Sequence, residues 1–288
     1  MQKNAENDTH LLDCLTKLAP DSSKSTLRSW IKEGRVTIDG KTAKRADEPV
    51  AKGQKVALGQ KPIFAEEKLR IVYEDRHLVA IEKPEGMLSV PTAFEKNETA
   101  YALLKKHYHP RRVHVVHRID QDTSGVMVFA LSEEGLKGLK ELFEKHDIHR
   151  AYYAVVEGSV IPAKGTWQSY LYEDARYMVH ATDDPTLGTI AITHYEVEKT
   201  SPRYTLLKLT LETGRKNQIR VHCLQCGCPI AGDQKYGAAT DPVKRLCLHA
   251  ATLEFVHPVT GKMLRFASPL PESFHAVLNR HTPKGGSK

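Results

Sequence analysis

Residues 113–131, VHVVHRIDQDTSGVMVFAL, constrain the fold more than any other stretch of the 288-residue chain. Alternation puts Val113, Val115, His117 and Ile119 on one face and His114, Val116, Arg118 and Asp120 on the other, the period of a strand. Asp120-Gln121-Asp122-Thr123-Ser124-Gly125 is polar turn chemistry, and VMVFAL resumes a strand apolar enough for the interior of a sheet. A chain with this segment has to build a β-sheet. Asp120 then falls at a strand end, on a loop held by two apolar strands, where a rigid scaffold presents functional groups.

The neighbouring segments fit a sheet with flanking helices. IVYEDRHLVAIEK reads as strand, turn at Glu74-Asp75 and strand, followed by a second turn at Pro84-Glu85-Gly86. Beyond Ser132, Leu136, Leu139, Leu142 and Phe143 recur at helical spacing as the inner face of a packing helix.

The first 60 residues form a different pattern of short elements. Leu11, Leu12, Leu15 and Leu18 predict a short amphipathic helix. A second helix is expected from Ser22 or Ser23, with Leu27, Trp30 and Ile31 inward and Gly34 ending it. RVTIDGKTA then reads as a hairpin around Asp39-Gly40, and Val50 with GQKVAL as a second short strand pair.

Charge follows the same division. The chain holds 42 Lys and Arg against 35 Asp and Glu, a formal net charge of +7. Residues 22–58 carry nine basic side chains (Lys24, Arg28, Lys32, Arg35, Lys41, Lys44, Arg45, Lys52, Lys55) against four acidic ones. Residues 59–278 are nearly balanced, with 28 basic and 27 acidic, and the last ten add three more positive charges. Within the balanced part, Lys105, Lys106, Arg111, Arg112 and Arg118 form one acid-free stretch, and Arg203, Lys208, Arg215, Lys216 and Arg220 a second with only Glu212. Both are expected to form local patches bordering Asp120. Basic patches of this kind permit a nucleic-acid partner, because Lys and Arg engage phosphates.

Other classes are excluded or disfavoured. No apolar run approaches the ~20 residues that span a bilayer. The start, MQKNAENDTHLLD, lacks the basic and apolar regions of a secretory signal, so a cytoplasmic protein is expected. Five cysteines do not suggest a disulfide framework. HCLQCGC at 222–228 invites a zinc site, but Ile219, His222, Cys223 and Cys226 continue one helical stripe and no second pair has matching spacing. Neither a phosphate-cradling glycine loop nor a nucleophile elbow is present.

Two resemblances sharpen the reading. His117-Arg118-Ile119-Asp120-Gln121-Asp122-Thr123-Ser124-Gly125 closely resembles the HRLDxxTSG signature of the RluA-type pseudouridine synthases, with Ile119 in place of Leu. In the same order along the chain follow a basic-x-Tyr-x-Ala strand at Arg150–Ala154, GRKNQIRVH at 214–222, GDQKYG at 232–237 and the HPVTG segment at 257–261. Asn217 departs from the histidine usual in that family. The helix–helix–IKEGRVTIDGK–GQKVAL order of the first 60 residues resembles an S4-type RNA-binding domain.

The first resemblance implies an enzyme that breaks the C1′–N1 bond of a uridine, turns the base and rejoins it through C5. It assigns the reacting carboxylate to Asp120, which at an ordinary pKa of ~3.9 is ionised at neutral pH and can add to C1′ or take the proton at C2′. It assigns Arg220 to pair with Asp120, and Tyr152 to pack on the base as a candidate acceptor of the C5 proton. The target nucleotide must leave its stack, and Arg118 is placed to fill the gap. His117, Arg215 and Lys83 complete the expected substrate-binding set. The second resemblance makes Lys24, Arg28, Lys32, Arg35, Lys41, Lys44 and Arg45 the expected RNA-binding residues, contributing affinity rather than sequence reading.

The expectation is therefore an α+β chain. A small α/β RNA-binding module at 9–60 is followed by a catalytic domain at 61–278, built on a mainly antiparallel mixed sheet, and a flexible basic tail at 279–288. The expected partner is structured RNA, ribosomal RNA first and transfer RNA second, acted on by a monomer without metal or organic cofactor. A non-catalytic RNA-binding or ribosome-assembly protein keeping the fold is the alternative from another class.

Overall fold

A computed structural model describes residues 1–59 and 63–279. Residues 60–62, where the two expected domains meet, and 280–288 of the expected tail lie outside the described residues. The chain divides into two compact units, one ending at Phe64 and the other beginning at Ala65.

In the first unit, helices Leu11–Leu18 and Lys24–Lys32 pack on a four-stranded antiparallel sheet ordered Gln2–Asn4, Lys55–Leu58, Val36–Ile38, Lys41–Thr42. Ser23 caps the second helix by accepting the Thr26 N–H at 3.2 Å. The Val36–Lys41 hairpin turns where expected, with Asp39 and Gly40 both at positive φ. Leu11, Leu15, Leu27, Ile31, Val36 and Val56 form the core.

One expectation here is corrected. Val50 does not pair with the KVAL strand. Pro49–Val50 pairs with Thr9–His10, whereas Lys55–Leu58 lies between Val36–Ile38 and the N-terminal Gln2–Asn4. The polar start of the chain thus contributes a sheet strand, through a pairing some fifty residues apart that no local periodicity encodes.

The second unit is α+β, built on a mainly antiparallel mixed sheet. Its strands are ordered Val179–Thr182, Lys164–Glu173, Thr189–Thr200, Tyr204–Leu211, His149–Glu157, Leu248–Val256, Ser124–Ala130, Leu78–Lys83, Leu69–Glu74. Ser124–Ala130 and Leu248–Val256 run parallel, joined through Ser124↔His249 and Gly125↔Ala250. The approach is close enough that a Cβ on Gly125 would meet the Ala250 carbonyl oxygen at 2.0 Å, so only glycine fits. As its apolar run dictates, every residue of Ser124–Ala130 is buried.

Helix Glu133–Glu144, capped by Ser132, turns Leu139 inward with Leu136, Leu142 and Phe143 packed beside it. Helix Gln218–Gln225 is sunk deeper, with Gln218 to Cys223 all buried. Cys226 is exposed, so the cysteine stripe ends at Cys223 rather than continuing as expected. Among the described residues no group of three His, Cys, Asp or Glu could hold a metal ion, and no helix is long and apolar enough to cross a membrane. Asn279, the first residue of the expected tail, closes helix Glu272–Asn279.

The strand expected over 113–120 is cut short. Only His114–Val115 pairs, with Ala130 and Phe129. The chain then leaves the sheet, and the His117 imidazole takes the vacated place by accepting the Val128 N–H at 3.0 Å. Asp120 consequently stands on a loop rather than at the end of a long strand.

Candidate active site

The Asp120 loop is pinned from below and from one side. The Lys83 ammonium, fully buried, donates to the carbonyls of Pro84 at 2.9 Å, Met87 at 2.6 Å and Gln121 at 2.8 Å, one acceptor for each of its three N–H bonds. Gln121 returns a hydrogen bond to Gly86, and Ser89 donates to the Ile119 carbonyl at 2.6 Å. Lys83 is therefore corrected from a substrate contact to a buried clamp joining the Pro84–Met87 turn to the Asp120 loop. Burial pulls its pKa down to about 7, against the opposing charges of Asp122 and Asp120.

Above this loop opens a cleft of about 530 Å³, a volume suited to a nucleotide-sized ligand. Asp120 shares its wall with Arg118, Tyr152, Arg215 and Arg220. Arg220 comes from helix Gln218–Gln225, and its Nη1 lies 3.3 Å from Asp120 Oδ2. The other edge of the guanidinium forks onto Asp233, with Nε to Oδ2 at 2.7 Å and Nη2 to Oδ1 at 2.6 Å. Its plane also lies over the Tyr236 ring, 4.8 Å from the centroid. Burial works against the charge, but Asp233 and Asp120 outweigh it and hold Arg220 more firmly protonated than an ordinary arginine.

Tyr152 lies on strand His149–Glu157 immediately after a register shift between Ala151 and Tyr152, an irregularity that re-aims a side chain relative to its neighbours. Burial raises its pKa, with the Asp120 charge adding and Arg150 opposing, so the phenol is protonated at neutral pH. His117 is half-buried and stacked on Phe143 with ring centroids 4.6 Å apart. Burial, helped by the Arg150 charge, pushes it down to about 3. It is neutral, and its Nε2 accepts the Val128 N–H, so His117 supports the loop while also lining the cleft. Arg118 and Arg215 are exposed at the cleft, and Arg215 Nε is anchored on the Ile190 carbonyl at 3.0 Å.

The two basic stretches divide. Arg118, Arg215 and Arg220 reach the cleft, whereas Lys105 and Lys106 line a separate depression and Arg111 is turned onto the Leu131 carbonyl. Sequence reasoning missed Asp233 and Tyr236, which the GDQKYG segment carries in a single turn, and Arg150, whose guanidinium reaches the same cleft. The signal was the turn itself, an Asp capping the Gln234–Tyr236 turn that follows.

In the first unit, Lys24, Arg28 and Lys32 recur every fourth residue along one exposed helix face, and Lys41 and Lys44 are exposed beside the hairpin. Arg45 pairs with Asp47 at 3.0 Å. Arg35 is half-buried, lying over Trp30 at 4.9 Å and bonded to the Gly59 carbonyl, which makes it more a support than a free cation.

The cleft presents a carboxylate at one wall, an aromatic ring in its lining and arginines at its mouth. The RNA pseudouridylate synthase family model matches residues 77–225, which contain Asp120, Tyr152 and Arg220. The chain belongs to the RNA pseudouridylate synthase family. Members of this family are isomerases that convert uridine to pseudouridine in RNA, and so is this chain. A separate S4-domain model matches residues 11–56. Curated relatives include the ribosomal large subunit pseudouridine synthase D of Xanthomonas campestris pv. campestris, 36% identical over 92% of this chain and 86% of its own length. The protein of the same name from Haemophilus influenzae is 34% identical over 92% and 89%. Among solved structures, human RNA pseudouridylate synthase domain containing 4 superposes with a TM-score of 0.59 at 26% identity, covering 73% of this chain and 92% of that one.

Proposed function

We propose that this synthase modifies uridines of large-subunit ribosomal RNA, with Asp120 as the reacting carboxylate, Arg220 as its partner and Tyr152 as the surface against which the base turns. The observation that carries the reading is the Asp120–Arg220 contact at 3.3 Å on the wall of a nucleotide-sized cleft. Ionised Asp120 works at the anomeric end of the ribose while the C1′–N1 bond breaks. The base turns in the cleft, C5 bonds to C1′, and the C5 proton leaves as N1 gains one. No net oxidation or hydrolysis occurs, so the chemistry asks for positioned side chains rather than a redox group. Arg118, exposed at the mouth, is suited to stack in the space the flipped nucleotide vacates.

The names of the relatives support ribosomal RNA as the substrate class. The basic helix face at Lys24, Arg28 and Lys32, with Lys41, Lys44 and Arg45, is the proposed phosphate-binding surface of the S4 unit. The test is to supply the purified chain with large-subunit ribosomal RNA and, separately, with transfer RNA, and to map pseudouridine in each. Modification of discrete uridines in the ribosomal RNA is expected. Modification confined to transfer RNA would overturn the substrate assignment.

A further inference from the structure

We infer that Asn217 is a positioning residue for Asp120, fixing the orientation of its carboxylate together with Arg220. The inference rests on the proposed role of Asp120 and deepens it.

Asn217 is buried immediately before helix Gln218–Gln225, with φ 53 in the left-handed region that Asn adopts more readily than most residues. One atom of its amide faces both oxygens of Asp120, at 2.8 and 3.2 Å, and the other faces the Tyr236 hydroxyl at 2.9 Å. A carboxylate only accepts hydrogen bonds, so the atom facing it has to be the amide nitrogen. The amide oxygen then accepts from Tyr236, whose own hydroxyl accepts the Val179 N–H at 3.3 Å. Every donor and acceptor in this chain, from backbone amide to carboxylate, is matched in one direction.

Comparison with Arg220 shows what the amide adds. Two of the guanidinium's three nitrogens are committed to Asp233 at 2.6 and 2.7 Å, leaving Nη1 at the longer 3.3 Å from Asp120. The shorter contact to Asp120 is the one from Asn217. Two donors on one helical turn therefore approach the carboxylate. Both are backed by one short turn, Arg220 by Asp233 and Asn217 by Tyr236. A neutral amide orients the carboxylate without adding a second charge to the one Arg220 supplies. Such orientation is worth rate because small displacements of a reacting group are costly.

Two variants separate orientation from folding. Asn217→Gly keeps the left-handed backbone and deletes the amide. Asn217→Asp keeps the shape and the acceptor for Tyr236, but replaces the donor with an oxygen facing Asp120. Both are expected to lower kcat for pseudouridine formation about 10- to 100-fold, with KM for RNA within about threefold. A crystal structure of Asn217→Gly is expected to show the Asp120 carboxylate rotated or spread over several orientations. Full kcat in Asn217→Asp, or an unmoved Asp120 in the glycine variant, would overturn the inference. An unsubstituted protein that makes no pseudouridine would contradict the functional reading instead, and the crystal structure would still decide the positioning.

Discussion

Asp233 grips Arg220 through both carboxylate oxygens, at 2.6 and 2.7 Å, in a site where Asp233 is 2% exposed. The arginine that touches Asp120 is thus anchored by a second carboxylate, 13 residues further along the chain. Two acids share one cation: Asp233 takes two of its three nitrogens, and Nη1 is left to Asp120 at 3.3 Å.

Removing that anchor leaves a buried cation without its principal partner. Asp233→Ala is expected to destabilise the second unit by about 3–5 kcal/mol in urea unfolding and to lower activity at least tenfold. A loss below about 1 kcal/mol would show that the buried pair is not a structural anchor.

Lys83 gives a prediction with a defined pH sign. Burial depresses its pKa to about 7 in the folded protein, below the ~10.4 of a free lysine. Between those values the unfolded chain binds more protons, so this group makes folding more favourable as pH rises through the interval, and least favourable below about 7. Lys83→Met removes that dependence and strands three carbonyl acceptors. The stability of the unsubstituted protein relative to the variant should therefore grow between pH 6 and pH 9. A pH-independent difference would contradict a buried, titrating clamp.

The basic face of the S4 unit should carry electrostatic affinity and little else. Substituting Lys24, Arg28 and Lys32 by Gln is expected to weaken RNA binding and to reduce the slope of log K against log salt by roughly 2–3. The value of kcat at saturating RNA should stay unchanged. An unaltered slope would move the phosphate contacts elsewhere.

Tyr152→Phe keeps the ring and removes the hydroxyl. RNA affinity should be preserved, with any loss confined to kcat, whereas Tyr152→Ala should impair both. A Phe variant that fails to bind RNA would contradict the packing role.

Local rules made much of this molecule legible. The leucine spacing of 11–18, the cap at Ser23, the Asp39-Gly40 turn and the buried run after Gly125 each depend on neighbours within a few residues. The motif around Asp120 singled out that carboxylate for the proposed chemistry, and its polar turn placed it on a loop, although only His114–Val115 of the strand expected before it pairs. What stayed hidden depends on distant partners. Lys83 reads as a substrate contact until three carbonyls from two loops surround it. His117 reads as one position in an alternating strand until its ring replaces a strand neighbour at Val128. Asp233 and Tyr236 are only positions of the GDQKYG motif until helix Gln218–Gln225 brings Arg220 and Asn217 against them.

The most direct measurement is tritium release from RNA labelled at C5 of uridine, comparing the unsubstituted protein with Asp120→Asn. Joining C5 to C1′ expels the C5 hydrogen, so release reports the new bond itself. With the unsubstituted protein, release is expected to run to completion at discrete sites. With Asp120→Asn, a fall of at least ~10³-fold is expected at unchanged RNA affinity. Release by Asp120→Asn at a rate near that of the unsubstituted protein would contradict the role proposed for Asp120.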